Sequence, residues 1–249
     1  MLNIVVPIAG RGSRFATAGY QLPKPLIPVH GQPMIHAVVC NVRPQRPHRF
    51  VFLALRDHLV EYPLRETLER VAPGCTIVAV ESVTEGAACT VLLARDLINS
   101  CDSLMLVNSD QWVDVRIDDY LDEMRRAGAD GLIMTMTADD PKWSFVGLDH
   151  RRRVTRVVEK TVISNEATVG IYNFRRGRDF VRAADRMIAK NLRVNHEFYV
   201  APVYNELIEE GAEIAIYNVG REGAGMYGLG IPSDLERFLA DSISHRAAA

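Results

Sequence analysis

Apolar and polar positions follow two alternating periods from the N-terminus to Thr137. Leu2 to Ala9 is an apolar, β-branched run of the length of a buried strand. Pro33 to Asn41 reads as a helix with one apolar face, and Arg49 to Leu55 as a second strand. Asp57 is placed to cap a helix running to about Val71, followed by a strand at Cys75 to Val80. Ala88, Leu92, Leu93 and Ala94 give helical spacing to Glu85–Ile98. Ser103 to Asn108 is a strand, Ile117 to Arg126 a helix and Gly131 to Thr137 a fifth strand. This alternation predicts an α/β fold, a mostly parallel mixed sheet with helices on both faces. Ligands in such sheets sit beyond the carboxyl ends of the strands, where Gly10, Glu81 and Asp110 all fall.

The pattern then changes. Phe145–Leu148 and Val154–Glu159 form a predicted hairpin around Asp149-His150-Arg151-Arg152, and Thr168–Phe174 is another strand. Helices are predicted at Arg178–Lys190 and Phe198–Glu210, then a strand at Glu213–Val219 and a helix from Ser233. With no repeat, low-complexity tract or flexible linker, the chain reads as one domain, 1–249, with halves at 1–140 and 141–249.

Composition removes several classes. A formal net charge of −2 gives no basic field to recruit nucleic acid, so any nucleotide must be held by local basic groups. No apolar run reaches the roughly 18 residues of a spanning helix, and Met1-Leu2-Asn3 leads straight into strand-like sequence without a charged leader. Cys40, Cys75, Cys89 and Cys101 are widely spaced in apolar company and read as buried free thiols of a reducing, cytoplasmic location.

The chemistry concentrates where the first strand breaks, at Gly10-Arg11-Gly12-Ser13-Arg14. Glycine lets backbone N–H groups approach a ligand closely, so this loop is suited to an oxyanion. Lys24 follows between Pro23 and Pro25, which restrict the backbone around its amine. Together these features point to a polyphosphate site. The loop lacks the third glycine of a dinucleotide fingerprint and the Gly-Lys-Ser/Thr of a P-loop. Asp110 ends an apolar strand and suits either Mg²⁺ shared with phosphate oxygens or a turn cap. Glu159-Lys160 suits a second phosphate or a solvated surface pair. Glu197 and His196 precede a predicted helix and serve either its N-terminal charge or a substrate. Arg151-Arg152-Arg153 reads as an exposed hairpin tip. Trp112 and Trp143 fit either a site rim or the core.

Ala9-Gly10-Arg11-Gly12-Ser13-Arg14-Phe15, followed by Leu22-Pro23-Lys24-Pro25-Leu26, resembles the signature of sugar-1-phosphate nucleotidyltransferases. The resemblance continues through Glu85-Gly86-Ala87-Ala88, Asn108-Ser109-Asp110, Val158-Glu159-Lys160, Ala167–Tyr172 and Gly230–Leu235. It implies a Rossmann-like, GT-A-like nucleotidyltransferase fold whose first half binds a nucleotide and whose second half binds an acceptor. The implied reaction transfers a nucleotidyl group from a nucleoside triphosphate to a sugar 1-phosphate, with Mg²⁺, releasing pyrophosphate.

On that resemblance Arg14 and Lys24 are catalytic. Ala9, Gly10, Gly12, Ser13, Glu85, Gly86 and Ala87 meet the nucleotide, and Glu81 is a candidate acceptor for an exocyclic amine of the base. Gly147, Glu159, Lys160, Val169 and Glu197 meet the acceptor, and Asp110 holds the metal, either alone with water and phosphates or with Asp234. Three positions depart from the pattern. Gly228 stands where many relatives carry a second metal-binding aspartate, Ser13 where threonine is usual, and Cys89 where glutamine is common. The alternatives are a cytidylyltransferase acting on a non-sugar phosphate or phosphonate, and a regulatory homologue that binds without chemistry. Self-association is left open.

Overall fold

The N-terminal apolar run becomes an interior strand of an eleven-stranded mixed sheet. The computed structural model describes residues 1–248. Strand β1 (Leu2–Ile8) runs into a short helix, α1 (Ser13–Thr17), and a 3-10 turn at Lys24–Leu26. A small hairpin of β2 (Pro28–Val29) and β3 (Gln32–Pro33) precedes α2 (Met34–Val42) and β4 (His48–Leu55). Helices α3 (Arg56–Glu61) and α4 (Leu64–Val71) lead to β5 (Thr76–Val80). Helices α5 (Ala87–Leu92) and α6 (Arg95–Ile98) lead to β6 (Ser103–Val107). Then come β7 (Gln111–Val113), α7 (Ile117–Arg126) and β8 (Gly131–Thr137). The hairpin of β9 (Ser144–Leu148) and β10 (Val154–Glu159) is followed by β11 (Glu166–Phe174), α8 (Gly177–Ala189) and α9 (Val203–Glu209). The chain closes with β12 (Ile214–Glu222), β13 (Gly225–Gly228), α10 (Pro232–Ala240) and a 3-10 turn at Ser242–Ala247.

The main sheet has the order β5-β4-β1-β6-β11-β8-β12-β13-β7, with β9 and β10 attached beside β11. β5, β4, β1 and β6 pair in parallel, and β11 enters antiparallel between β6 and β8. Strands from the two halves therefore interleave. Because alternate side chains of a strand face opposite ways, Ile4, Val6 and Ile8 pack with α2, α4 and α7 (Val38, Leu68, Tyr120), while Val5 packs with α5, α8 and α9 (Val91, Phe180, Tyr204). A third core of Phe15, Met34, Trp112, Tyr227, Leu235 and Phe238 joins the glycine loop to the C-terminal segment behind the strand ends.

Most predicted elements stand, and the differences have local causes. The helix expected at Asp57–Val71 breaks in two at Tyr62-Pro63, since proline lacks the N–H and excludes helical geometry at the residue before it. Asp57 lies inside the first turn of α3 instead of capping it, and pairs with Arg11 at 3.6 Å. The helix expected at Phe198 starts at Val203, because Phe198 gives both its backbone groups to Glu85 and Ala88. β7 and β13, of three and four residues, are too short to carry a period. The cysteines are free but not buried: Cys40 and Cys101 are exposed and the other two half-buried. Among the described residues no helix is long and apolar enough to cross a membrane.

The end of β6 is fixed by β11. Asn108 N–H donates to Gly170 O at 2.9 Å, at a shift in strand register between Thr168 and Tyr172. Gly170 has φ 83°, and a Cβ there would lie 3.0 Å from Asn108 Cβ with the amide closer still. Gly170→Ala is therefore expected to lower unfolding free energy by about 1–3 kcal/mol, measured by urea denaturation. An unchanged midpoint would show that the bend tolerates a side chain.

Candidate active site

The glycine loop presents unsatisfied amides. Gly12 has φ 61° at the start of α1, and its carbonyl accepts from Phe15 (2.9 Å) and Ala16 (3.1 Å). The N–H groups from Gly10 to Arg14 have no backbone partner among the described residues. They border a cavity of about 230 Å³ walled by Gly10, Gly12, Ser13, Arg14, Lys24 and Asp110. A Cβ at Gly12 would lie 3.3 Å from Lys24 Cβ, so the absence of a side chain lets the lysine approach the loop. Arg14 makes no ion pair among the described residues, whereas Arg11 turns away to Asp57.

Lys24 and Asp110 meet across 86 positions of sequence. The ammonium donates to Asp110 Oδ2 at 2.9 Å. Beyond Asp110 opens a larger cavity of about 600 Å³, which shares Arg14, Asp110 and Gly230 with the smaller one. Asp110 and Asp234 both line the larger cavity against glycines. A Cβ at Gly230 would sit 3.2 Å from Asp110 Oδ2, and one at Gly228 would sit 3.1 Å from Asp234 Oδ2. Burial raises the Asp234 pKa, reinforced by Glu222 and opposed by Lys142, Arg237 and Arg14. Among the described residues, no group of three or more His, Cys, Asp or Glu side chains is arranged to hold a metal unaided.

The opposite wall comes from the hairpin, β11 and the segment before α9. Glu159 is 7% exposed and accepts from the Ser144 hydroxyl. Burial raises its pKa above the ordinary carboxylate range, against the opposing effects of Ser144 and Lys160. Lys160 has φ 55° and donates to Tyr199 Oη at 2.9 Å, a bond that raises the lysine pKa. Thr168, Val169, Tyr172 and Glu197 complete this side. Tyr172 is buried and bonded to Thr168 at 3.0 Å, and burial pushes its hydroxyl pKa well up.

Arg14, Lys24, Asp110, Asp234, Ala87, Glu159, Lys160, Val169 and Glu197 thus line the two cavities together with Gly10, Gly12 and Ser13. Five predicted residues stand outside their walls. Glu81 is exposed and paired with Arg56, because β5 ends at the sheet edge away from the loop. Gly147 lies under Arg156 and Ile163. The Glu85 side chain turns to Arg193 at 3.2 Å, leaving its backbone to the loop, and Ala9 is buried beneath the turn. Gly86 lies at the seam with Phe198. Trp112 is core, and Trp143 is half-buried in the cavity wall. Sequence reasoning missed Ser144, Tyr199 and Lys142. Lysine count carried a signal: the chain has four lysines, and Lys24, Lys142 and Lys160 line these cavities.

A glycine loop, a lysine and an acid converging at the strand ends of a mixed α/β sheet define the nucleotidyltransferase class. The family model described as nucleotidyl transferase matches residues 5–201, and the chain belongs to that family. It is 28% identical over 223 residues to the bifunctional protein GlmU of Burkholderia multivorans, covering 86% of this chain and 46% of that protein. A putative mannose-1-phosphate guanyltransferase of Sulfolobus acidocaldarius is 22% identical over 185 residues, 71% of this chain and 49% of that one. The chain therefore spans about half the length of these curated relatives. The solved nucleoside-diphosphate-sugar pyrophosphorylase of Vibrio cholerae is 27% identical, with a TM-score of 0.79 over 96% of this chain and 100% of that one. UDP-glucose pyrophosphorylase of Acinetobacter baumannii, at 15% identity and TM-score 0.74 over 96% and 92%, shares the fold.

Glu159 makes stability depend on pH. With its folded pKa raised above the unfolded value of about 4.3, protonation favours the native state, and that stability is lost as pH rises through the folded pKa. Glu159→Gln is expected to melt above the wild type at pH 8, with the gap closing as pH falls toward 4. A pH-independent gap in thermal scans would show that burial does not govern this carboxyl.

Proposed function

We propose that the chain transfers a nucleotidyl group from a nucleoside triphosphate to a sugar 1-phosphate, giving a nucleotide-sugar and pyrophosphate. The observation that carries this reading is the Lys24–Asp110 contact at the junction of the two cavities. The smaller cavity, with its unpaired amides and Arg14, suits the triphosphate. The larger one, with Lys160 and the hydroxyls of Ser144 and Thr168, suits a phosphorylated polyol.

In this reading an acceptor phosphate oxygen attacks the α-phosphorus. A new P–O bond forms as the bond to the bridging β-phosphate oxygen breaks, and pyrophosphate departs with that electron pair. A phosphate monoester is largely dianionic at pH 7, its second pKa being about 6, so the nucleophile needs no general base. The protein's task is positioning and charge neutralisation. Lys24 serves the phosphorus under attack, Arg14 the leaving pyrophosphate and Lys160 the acceptor phosphate. Lysine suits positions 24 and 160 as a compact point charge.

Asp110 and Asp234 fit a shared Mg²⁺, since that ion needs only one or two carboxylates beside phosphate oxygens and water. The bare faces of Gly228 and Gly230 leave room in front of both. Bound there, Mg²⁺ supplies further neutralisation of phosphate charge. We place the protein in the cytoplasm, where its free thiols would persist.

The test is pyrophosphate release in Mg²⁺ with each of four triphosphates against a panel of phosphorylated acceptors. Release with a sugar 1-phosphate supports the reading. Release only with a non-sugar phosphate and CTP moves it to the cytidylyltransferase alternative, and no release with any pair favours a binding module. Lys24→Ala is expected to lower turnover by about 10²-fold or more while changing stability by less than about 1 kcal/mol. Full activity in that variant would sink the assignment.

A further inference from the structure

The ammonium that the proposed function assigns to the acceptor phosphate is held in an unusual way. Among the described residues, Tyr199 Oη is the one hydrogen-bond partner of Lys160 Nζ, at 2.9 Å, and no carboxylate lies within ion-pair distance. Glu159 is adjacent in sequence and Glu197 lines the same cavity, yet neither takes the lysine. The phenol ring also faces the ammonium, 5.1 Å from its centroid. A carboxylate partner would have cancelled the charge. A neutral oxygen orients the ammonium and leaves its charge for a phosphate. The backbone is fixed as well, with φ 55° at Lys160 and its N–H donating to Trp143 O at 3.0 Å.

Tyr199 is itself held from two sides. On one, Val194 and Glu197 exchange backbone hydrogen bonds of 3.0 Å around Asn195 and His196, both left-handed at φ 49° and 66°. On the other, Phe198 N–H donates to Glu85 O at 2.7 Å and Phe198 O accepts from Ala88 N–H at 3.0 Å. Arg193 reinforces this clasp by pairing with Glu85 at 3.2 Å and lying 4.3 Å over the Phe198 ring. Only glycine fits its centre: Gly86 has φ 125°, and a Cβ there would sit 2.5 Å from Phe198 O.

We propose that Tyr199 is a positioning residue that fixes the Lys160 ammonium for the acceptor phosphate and, through Phe198, ties it to the nucleotide loop at Glu85–Ala88. The identity of the phosphate rests on the proposed function; the hold on the lysine does not. Displacement of the nucleotide loop carries Phe198 with it, and Tyr199 and Lys160 follow, so nucleotide and acceptor sites respond together.

Two measurements test this. The first is competitive acetylation of the four lysines with acetic anhydride, read by mass spectrometry on the wild type and Tyr199→Phe, a change that keeps the ring and removes the oxygen. Lys160 is expected to label faster in the variant while Lys190 is unchanged; equal labelling of Lys160 overturns the proposal. The second uses the triphosphate and acceptor that give pyrophosphate release. Tyr199→Phe is expected to raise the acceptor KM about tenfold, the effect of one lost hydrogen bond to a charged group, with triphosphate KM and melting temperature unchanged. An unchanged acceptor KM overturns the positioning role. Gly86→Ala is expected to raise both KM values, and a rise in triphosphate KM alone overturns the link through Phe198. If the wild type releases pyrophosphate with no pair, the reaction assigned above fails while the labelling result still decides the hold on Lys160.

Discussion

The contact between Lys24 and Asp110 is the constraint around which the site is arranged. Neither side chain is free to find the other by flexibility. Lys24 opens a 3-10 turn between two prolines, closed by Leu26 N–H on Pro23 O at 2.8 Å and Ile27 N–H on Lys24 O at 3.2 Å. Asp110 is tied by its own carbonyl, which accepts from Leu229 N–H at 2.7 Å. Beneath them the third core packs Phe15 from the loop side against Trp112 and Leu235 from the strand and C-terminal sides. The pair is partly exposed, the aspartate side chain at 39%, so water screens it and its own contribution to stability is about 0–1 kcal/mol. The surrounding packing holds the two groups in place.

The rest of the site follows from one sheet serving both halves of the chain. β11 lies between β6 and β8, so the strand that walls the larger cavity also fixes Asn108, two residues before Asp110. Gly170 is where the two requirements meet. A side chain there would push on the Asn108 amide, and the carboxylate beyond would lose its seat. On the far side, the seam between Gly86 and Phe198 performs the same service for the two loops that no strand connects.

The sheet was legible because long apolar runs have few other uses. Ile117–Arg126 and Gly131–Thr137 form as their periodicity predicts. The loop, Lys24 and Asp110 were legible because glycine beside arginine, and lysine between prolines, answer to local rules. Glu81 was misplaced because a strand end predicts proximity to the sheet's carboxyl edge, not which strand stands next to the loop, and β5 is the outermost. Tyr199 was unreadable for a different reason. Its role depends on backbone bonds between Phe198 and residues more than a hundred positions earlier, and no local pattern encodes such a pairing. Helical periodicity even argued against it, by extending α9 through the segment that the clasp holds open.

Gly228 shows how a departure from a family pattern is to be read in three dimensions. Taken as a string, it removes a carboxylate and suggests lost chemistry. In the fold, Asp234 lies with its Oδ2 3.1 Å from where a Gly228 Cβ would be, so a carboxylate still occupies that side of the cavity, supplied by α10 instead of β13. An aspartate at 228 would compete for this space and set a second negative charge against a group whose pKa burial already raises. Glycine at 228 and aspartate at 234 are thus one solution in two residues. The cavity keeps a carboxylate beside each of the two glycines, Asp234 at Gly228 and Asp110 at Gly230.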